Sequence, residues 1–273
     1  DRIAEQVTRD SCPIRRAFVE RAFDDDRPTP LMSLLRTRES VGGKGGGLRI
    51  TLLMTLIWVN ARPPYSSGRV AAYWAELLDR ENPREEGARA IRDALHELQQ
   101  RGFVDLNNVG PKTYIELRNE ALPVDDDGDP VPYVPPYGQQ PYISIPRAFW
   151  VDGLAGKLSG AGVAMYLCAL ALTRAEKPEF FIAAAHFEER YGISRSSRKR
   201  GLAELTSLGV LSVRTKETMD WTTARKLRRN IYRLNKPYRQ PEAWVDDETR
   251  RKQAAMDRSR QVLPVALKRL GAL

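Results

Sequence analysis

The sequence predicts a mostly α-helical α+β chain with small β-hairpins, in which one helix–helix–helix–strand–turn–strand unit occurs twice in tandem. Three observations carry this reading. First, Ala94-Leu95-His96-Glu97-Leu98-Gln99-Gln100-Arg101-Gly102-Phe103-Val104 aligns without a gap with Gly201-Leu202-Ala203-Glu204-Leu205-Thr206-Ser207-Leu208-Gly209-Val210-Leu211, so that Leu, Glu, Leu and Gly coincide. An ordered unit met twice is stronger evidence than either copy alone. Second, strand-like residues and a turn follow each stretch. Third, apolar residues make up 42% of the 273 positions, enough to bury two modest cores.

Residues 1–47 read as a charged, partly helical lead. Ile14, Ala17, Phe18 and Ala22 fall roughly on one face, which predicts a short helix from Ser11 to Phe23, ended by Asp24-Asp25-Asp26 and Pro28/Pro30. Leu31 to Arg38 is a second short helix, and Gly42 to Gly47 a flexible joint.

The first copy covers 48–118. Helices are expected at Leu48–Asn60, stopped by Pro63-Pro64, at Val70–Leu78 with Ser66 or Ser67 as cap, and at Arg84–Arg101, stopped by Gly102. Strands at 103–106 and 113–117 flank a turn. Residues 119–141 read as an extended acidic linker, since Asp125-Asp126-Asp127-Gly128-Asp129 and the prolines at 123, 130, 132, 135, 136 and 141 deny it ladder donors.

The second copy covers 142–235. A strand at 142–145 precedes a helix from Ser159 to about Arg174, a strand at 180–182, a helix ending at Tyr191 and a turn at Gly192-Ile193-Ser194. A helix then runs to Leu208 and stops at Gly209. Strands at 210–215 and 230–234 enclose a long basic segment, and 236–273 is a C-terminal extension with an amphipathic helix near 243–261.

The paired leucines lie three apart on one helix face and pack against the preceding helices, which frees the opposite face. In the second copy that face begins Ser194-Arg195-Ser196-Ser197-Arg198-Lys199-Arg200. Tyr191-Gly192-Ile193-Ser194, Arg198, Leu202-Ala203-Glu204-Leu205 and Leu208-Gly209-Val210-Leu211 resemble the helix–turn–recognition-helix–wing of the winged-helix superfamily. The tandem arrangement is similar to that of plasmid replication initiators of the RepA type. The resemblance implies two winged-helix domains and double-stranded DNA as partner, with a transcriptional or a replication and maintenance role for a mobile element. It implies contacts from Arg195, Ser196, Ser197, Arg198, Lys199 and Arg200 on the recognition helix, and from Lys216, Arg225, Lys226, Arg228 and Arg229 on the wing. Arg198 is the first choice for a base contact. A protein-interaction scaffold is the alternative.

Charge agrees with this reading. The formal net charge is +9, and residues 190–233 hold twelve cations against three anions, Glu204, Glu217 and Asp220, so this stretch matches the excess of the whole chain. Trp221 is expected to anchor the wing. In the first copy Arg84, Arg89 and Arg92 alternate with Glu85, Glu86 and Asp93, which leaves weak DNA contact and dimerisation both open. A homodimer through this copy or the terminal helices is therefore a second partner to consider.

Other chemistry finds little support. Gly45 follows Lys44 where a phosphate loop needs Ser or Thr. His96 and His186 fall on different copies, and the acidic run lacks the closing Glu of a calcium loop. Cys12 and Cys168 have neither zinc-like nor disulfide-framework spacing. No apolar run reaches a membrane-spanning length, and no signal-peptide pattern opens the sequence. The expectation is a non-enzymatic, cofactor-free, cytoplasmic and nucleoid-associated protein.

Overall fold

The chain begins with α1 (Arg2–Gln6), β1 (Ser11–Arg15), a 3-10 turn (Arg16–Phe18) and α2 (Pro30–Leu35). The computed structural model describes residues 2–22, 27–36, 46–109, 112–137, 140–174, 176–220 and 225–241. The helix expected from Ser11 to Phe23 is instead a strand followed by a single 3-10 turn. Pro13 has no N–H to give a helix, and Cys12 and Ile14 are buried in alternation. Their partners lie far along the chain in β5 (Tyr142–Pro146), where Cys12 faces Ile145 and Ile14 faces Ile143.

The first copy comprises α3 (Gly46–Val59), β2 (Ser66–Arg69), α4 (Ala71–Leu77), α5 (Glu86–Gln100), β3 (Val104–Val109) and β4 (Lys112–Leu117). Ser66 and Ser67, expected as a helix cap, form β2 and pair with Glu116 and Ile115. Gly102 adopts φ +80 where α5 stops, the left-handed conformation for which glycine is suited. Gly46 and Gly47 belong to α3 rather than to a flexible joint. A Cβ on Gly47 would lie 2.9 Å from the Gly160 nitrogen, so α3 meets the backbone at Gly160 by close approach.

After β5 come α6 (Ala148–Val151) and α7 (Leu154–Lys157), then the second copy: α8 (Gly160–Leu172), β6 (Glu179–Phe180), α9 (Ala184–Tyr191), α10 (Arg195–Ser207), β7 (Leu211–Asp220) and β8 (Arg225–Leu234). The order helix–strand–helix–helix–strand–strand is the same in both copies. So is the strand order, β2-β4-β3 in one and β6-β8-β7 in the other, all antiparallel. The fold is thus α+β with small antiparallel sheets.

The lead and the linker are built into this body. Ala4, Cys12, Ile14, Phe18 and Leu31 are fully buried in one core with Trp58 of α3 and Tyr166 of α8. Trp58 stacks on Trp150 with centroids 4.2 Å apart, joining the first copy to α6. Arg49 donates to the Leu34 and Arg36 carbonyls and Arg101 to those of Ser33 and Arg36, so two arginines of the first copy satisfy the end of α2. Within 119–141, Glu120 is 0% exposed and Tyr133 is buried. Glu120 accepts from the Arg15 backbone at 2.9 Å and from its guanidinium at 2.7 Å. The acidic turn, residues 125–129, is exposed. Residues 1–240 form one compact unit. The terminal helix expected near 243–261 lies outside the described residues.

Candidate nucleic-acid interface

The open face of α10 follows from what its other faces do. Gly201, Leu202 and Leu205 are buried. A Cβ at Gly201 would stand 2.3 Å from the Ala161 carbonyl oxygen, so α10 crosses α8 at van der Waals contact there. Glu204 accepts from the Ser159 backbone at 2.7 Å and from its hydroxyl at 2.5 Å, which turns the one acid of the helix toward the start of α8. Ser194 caps the helix by accepting from the Ser197 N–H, and Gly192 at φ +68 ends α9 just before it. What remains exposed is Arg195, Ser196, Lys199, Arg200, Ala203 and Ser207, a face of cations and small side chains without a carboxylate.

The expected site residues separate into two groups on this helix. Arg195, Ser196, Lys199 and Arg200 are exposed, whereas Ser197 and Arg198 are half-buried. The Arg198 guanidinium sits 5.4 Å from the centroid of Phe187 on α9, so the residue first chosen for base contact is held against its own fold.

Residues 216–220 and 225–229 of the basic segment expected between two short strands are themselves strand. β7 and β8 pair over ten positions, from Leu211↔Leu234 at the buried base to Asp220↔Arg225. β6 accompanies β8 only at Arg233 and Tyr232. The pairs from Arg214↔Ile231 outward therefore form a two-stranded ribbon, which at ~3.4 Å per residue projects on the order of 20 Å. Lys216, Lys226 and Arg228 are exposed on it. Lys216 stands directly opposite Arg229, a like-charge pair that disfavours the ladder unless an anion is near. Arg229 rests 5.2 Å over the ring of Phe181, itself 47% exposed. Arg214 pairs with Glu179 at 2.9 Å, and this hydrogen bond holds the Glu179 carboxyl below its ordinary range. Arg225 has its backbone in β8. Trp221 lies outside the described residues.

Phe181, Phe187 and the role of Glu204 were not read as parts of the site from the sequence. Only Glu204 left a signal, through the matching offset of Glu97. Among the described residues the first copy presents no comparable surface. The exposed face of α5 mixes Arg89, Arg92, Asp93 and His96, and its hairpin has six pairs, from Val104↔Leu117 to Val109↔Lys112.

Among the described residues no group of His, Cys, Asp and Glu is arranged to hold a metal ion, and no helix is long and apolar enough to cross a membrane. Burial pushes the thiols of Cys12 and Cys168 upward, away from the thiolate form a nucleophile needs. Comparison with protein-family models, with curated proteins and with solved structures gives no match.

Proposed function

We propose that this chain is a double-stranded DNA-binding protein of two tandem winged helices, in which the second copy makes the principal contact. The observation that carries the reading is the acid-free face of α10, the third helix of its copy, beside a projecting ribbon that exposes Lys216, Lys226 and Arg228 and sets Lys216 opposite Arg229. A groove-reading helix needs an open face with donors, and a wing needs cations that reach phosphate. Both needs are met by adjacent parts of one copy, and the one acid on α10 is engaged by Ser159.

The proposed roles divide accordingly. Ser196, Lys199 and Arg200 face the major groove, with Arg195 at the helix start toward phosphate. Lys216, Lys226, Arg228 and Arg229 lie along the neighbouring backbone, with Arg225 near the turn. The mixed-charge face of α5 suits protein contact better than duplex contact, a second copy of this chain included. The process served is transcriptional control or replication and maintenance of a mobile element, and the cytoplasmic, nucleoid-associated location goes with it.

The test is binding of the full chain to random-sequence and library-selected duplexes across a range of salt concentrations. Saturable binding that weakens steeply with salt supports the proposal. Absence of duplex binding at low salt contradicts it and leaves the interaction-scaffold reading.

A further inference from the structure

The segment following β1 reaches the reading helix through its neighbours. Arg16 donates at 2.6 Å to the carbonyl of Ala171, in the last turn of α8. The Arg21 backbone donates at 2.9 Å to the Arg190 carbonyl, and its guanidinium at 3.2 Å to that of Glu189, both in the last turn of α9. The last carbonyls of a helix have no partner within it, and cations near that end are favoured by the peptide dipoles. One stretch of six residues thus attends to the ends of both helices that precede α10.

Glu20 ties the stretch together. One of its carboxylate oxygens accepts from Arg16 at 2.6 Å and from the Tyr191 hydroxyl at 3.2 Å. The other accepts from Arg190 at 2.7 Å. Its side chain is 11% exposed, and the bonds from Arg16 and Tyr191 are part-buried, while Arg190 reaches it from the surface at 51% exposure. The turn that follows is closely packed at Gly192. A Cβ at Gly192 would meet Met32 of α2 at 3.1 Å and the Arg21 guanidinium at 3.4 Å. Tyr191 and Ile193, on either side, are each 1% exposed. The direction in which α10 leaves this turn is therefore set partly by residues about 170 positions earlier in the chain.

We infer that residues 16–21 brace the α9–α10 turn, with Glu20 and Arg21 as positioning residues that orient α10 for sequence discrimination without touching the duplex. The inference rests on the duplex-binding reading. A helix reads base edges only when held in one orientation, whereas contacts to phosphate tolerate small rotations. Loosening the brace therefore lowers discrimination and spares general affinity.

The experiment uses the full chain, as wild type, Glu20→Gln and Arg21→Ala. Two duplexes of equal length serve as probes, one selected by the wild type from a random library and one scrambled. The expected result is a roughly tenfold loss of preference for the selected duplex, with scrambled-duplex affinity and its salt dependence retained. Amide hydrogen exchange across 192–200 should quicken by roughly tenfold while α3 stays protected. Folded variants that keep the wild-type preference overturn the inference, as do variants that lose affinity for both duplexes in equal proportion. If the wild type binds no duplex, the parent reading fails, and the exchange measurement still decides the brace: unchanged exchange across 192–200 overturns it.

Discussion

Glu204 on α10 closes the N-terminus of α8 by accepting two hydrogen bonds from Ser159, whose own hydroxyl accepts from the Gly162 N–H. A capping arrangement normally made within one helix is here completed by a different helix. Glu97, at the same offset in the first copy, pairs with Arg49 of α3 at 2.8 Å. In both copies this glutamate ties the third helix to the first. Glu204→Ala is expected to lower the unfolding free energy by about 1–3 kcal/mol, read from urea denaturation, with Glu204→Gln recovering part of it. An unchanged midpoint would show that the tie does not hold α10 to α8.

The Arg15–Glu120 pair makes a second prediction. Both side chains are nearly enclosed, at 11% and 0% exposure. Removing one partner of such a pair leaves a buried charge, so Glu120→Ala should cost about 3–5 kcal/mol. Glu120→Gln keeps an acceptor for Arg15 and should cost much less. Burial raises the Glu120 carboxyl above its ordinary 4.5, against the pull of Arg15. The folded state then holds the proton longer than the unfolded state does. Wild-type stability relative to Glu120→Gln should therefore be greatest below pH 4.5 and fall as pH rises through the raised value. A difference that grows with pH would reverse this sign.

Two glycines of the second copy separate packing from conformation. A methyl at Gly201 meets the Ala161 carbonyl oxygen, whereas one at Gly209 meets nothing within 4 Å but sits at φ +71. Gly209→Ala should cost about 1–2 kcal/mol, the left-handed penalty alone. Gly201→Ala should cost more, since helices α8 and α10 must part. Equal midpoints in thermal unfolding would mean that the two helices move apart freely.

The parts of the fold that were legible are those with local causes. Leu95, Leu98, Leu202 and Leu205 are buried as their spacing requires, and Gly102 and Gly209 both take positive φ at helix ends. The misread parts have distant partners. Residues 11–15 show a helix-like apolar pattern but pair with 142–146, and Glu120 looks like linker charge until Arg15 is placed beside it. The outer ribbon reads in sequence only as a long basic segment between two short strands, because strand patterning records a core on one face. Beyond Val213↔Tyr232 no third strand accompanies it among the described residues. Candidate site residues were found by charge, while the turning of Arg198 onto Phe187 depends on how α9 meets α10.

On the proposed duplex-binding reading, that turning moves the base-contacting role from Arg198 to its exposed neighbours. Lys199 and Arg200 are exposed, and Arg198 is half-buried. Lys199→Ala with Arg200→Ala should abolish preference for a selected duplex and leave the fold intact. Arg198→Ala should weaken all duplexes alike. Each bidentate base contact is worth about 1–3 kcal/mol of discrimination, so a competition assay between selected and scrambled duplexes resolves the two cases. Loss of preference in Arg198→Ala alone would return the reading role to that residue.

The most direct test of duplex binding through the second copy is the slope of log affinity against log salt concentration. Each phosphate contact releases counterions and steepens that slope by about 0.9. Replacing Lys216, Lys226, Arg228 and Arg229 together by Gln should flatten it by roughly 2 to 4 units for selected and scrambled duplexes alike. Preference between the duplexes should survive, because α10 is untouched. A folded quadruple variant with the wild-type slope would contradict the account, since the ribbon would then lie away from the duplex.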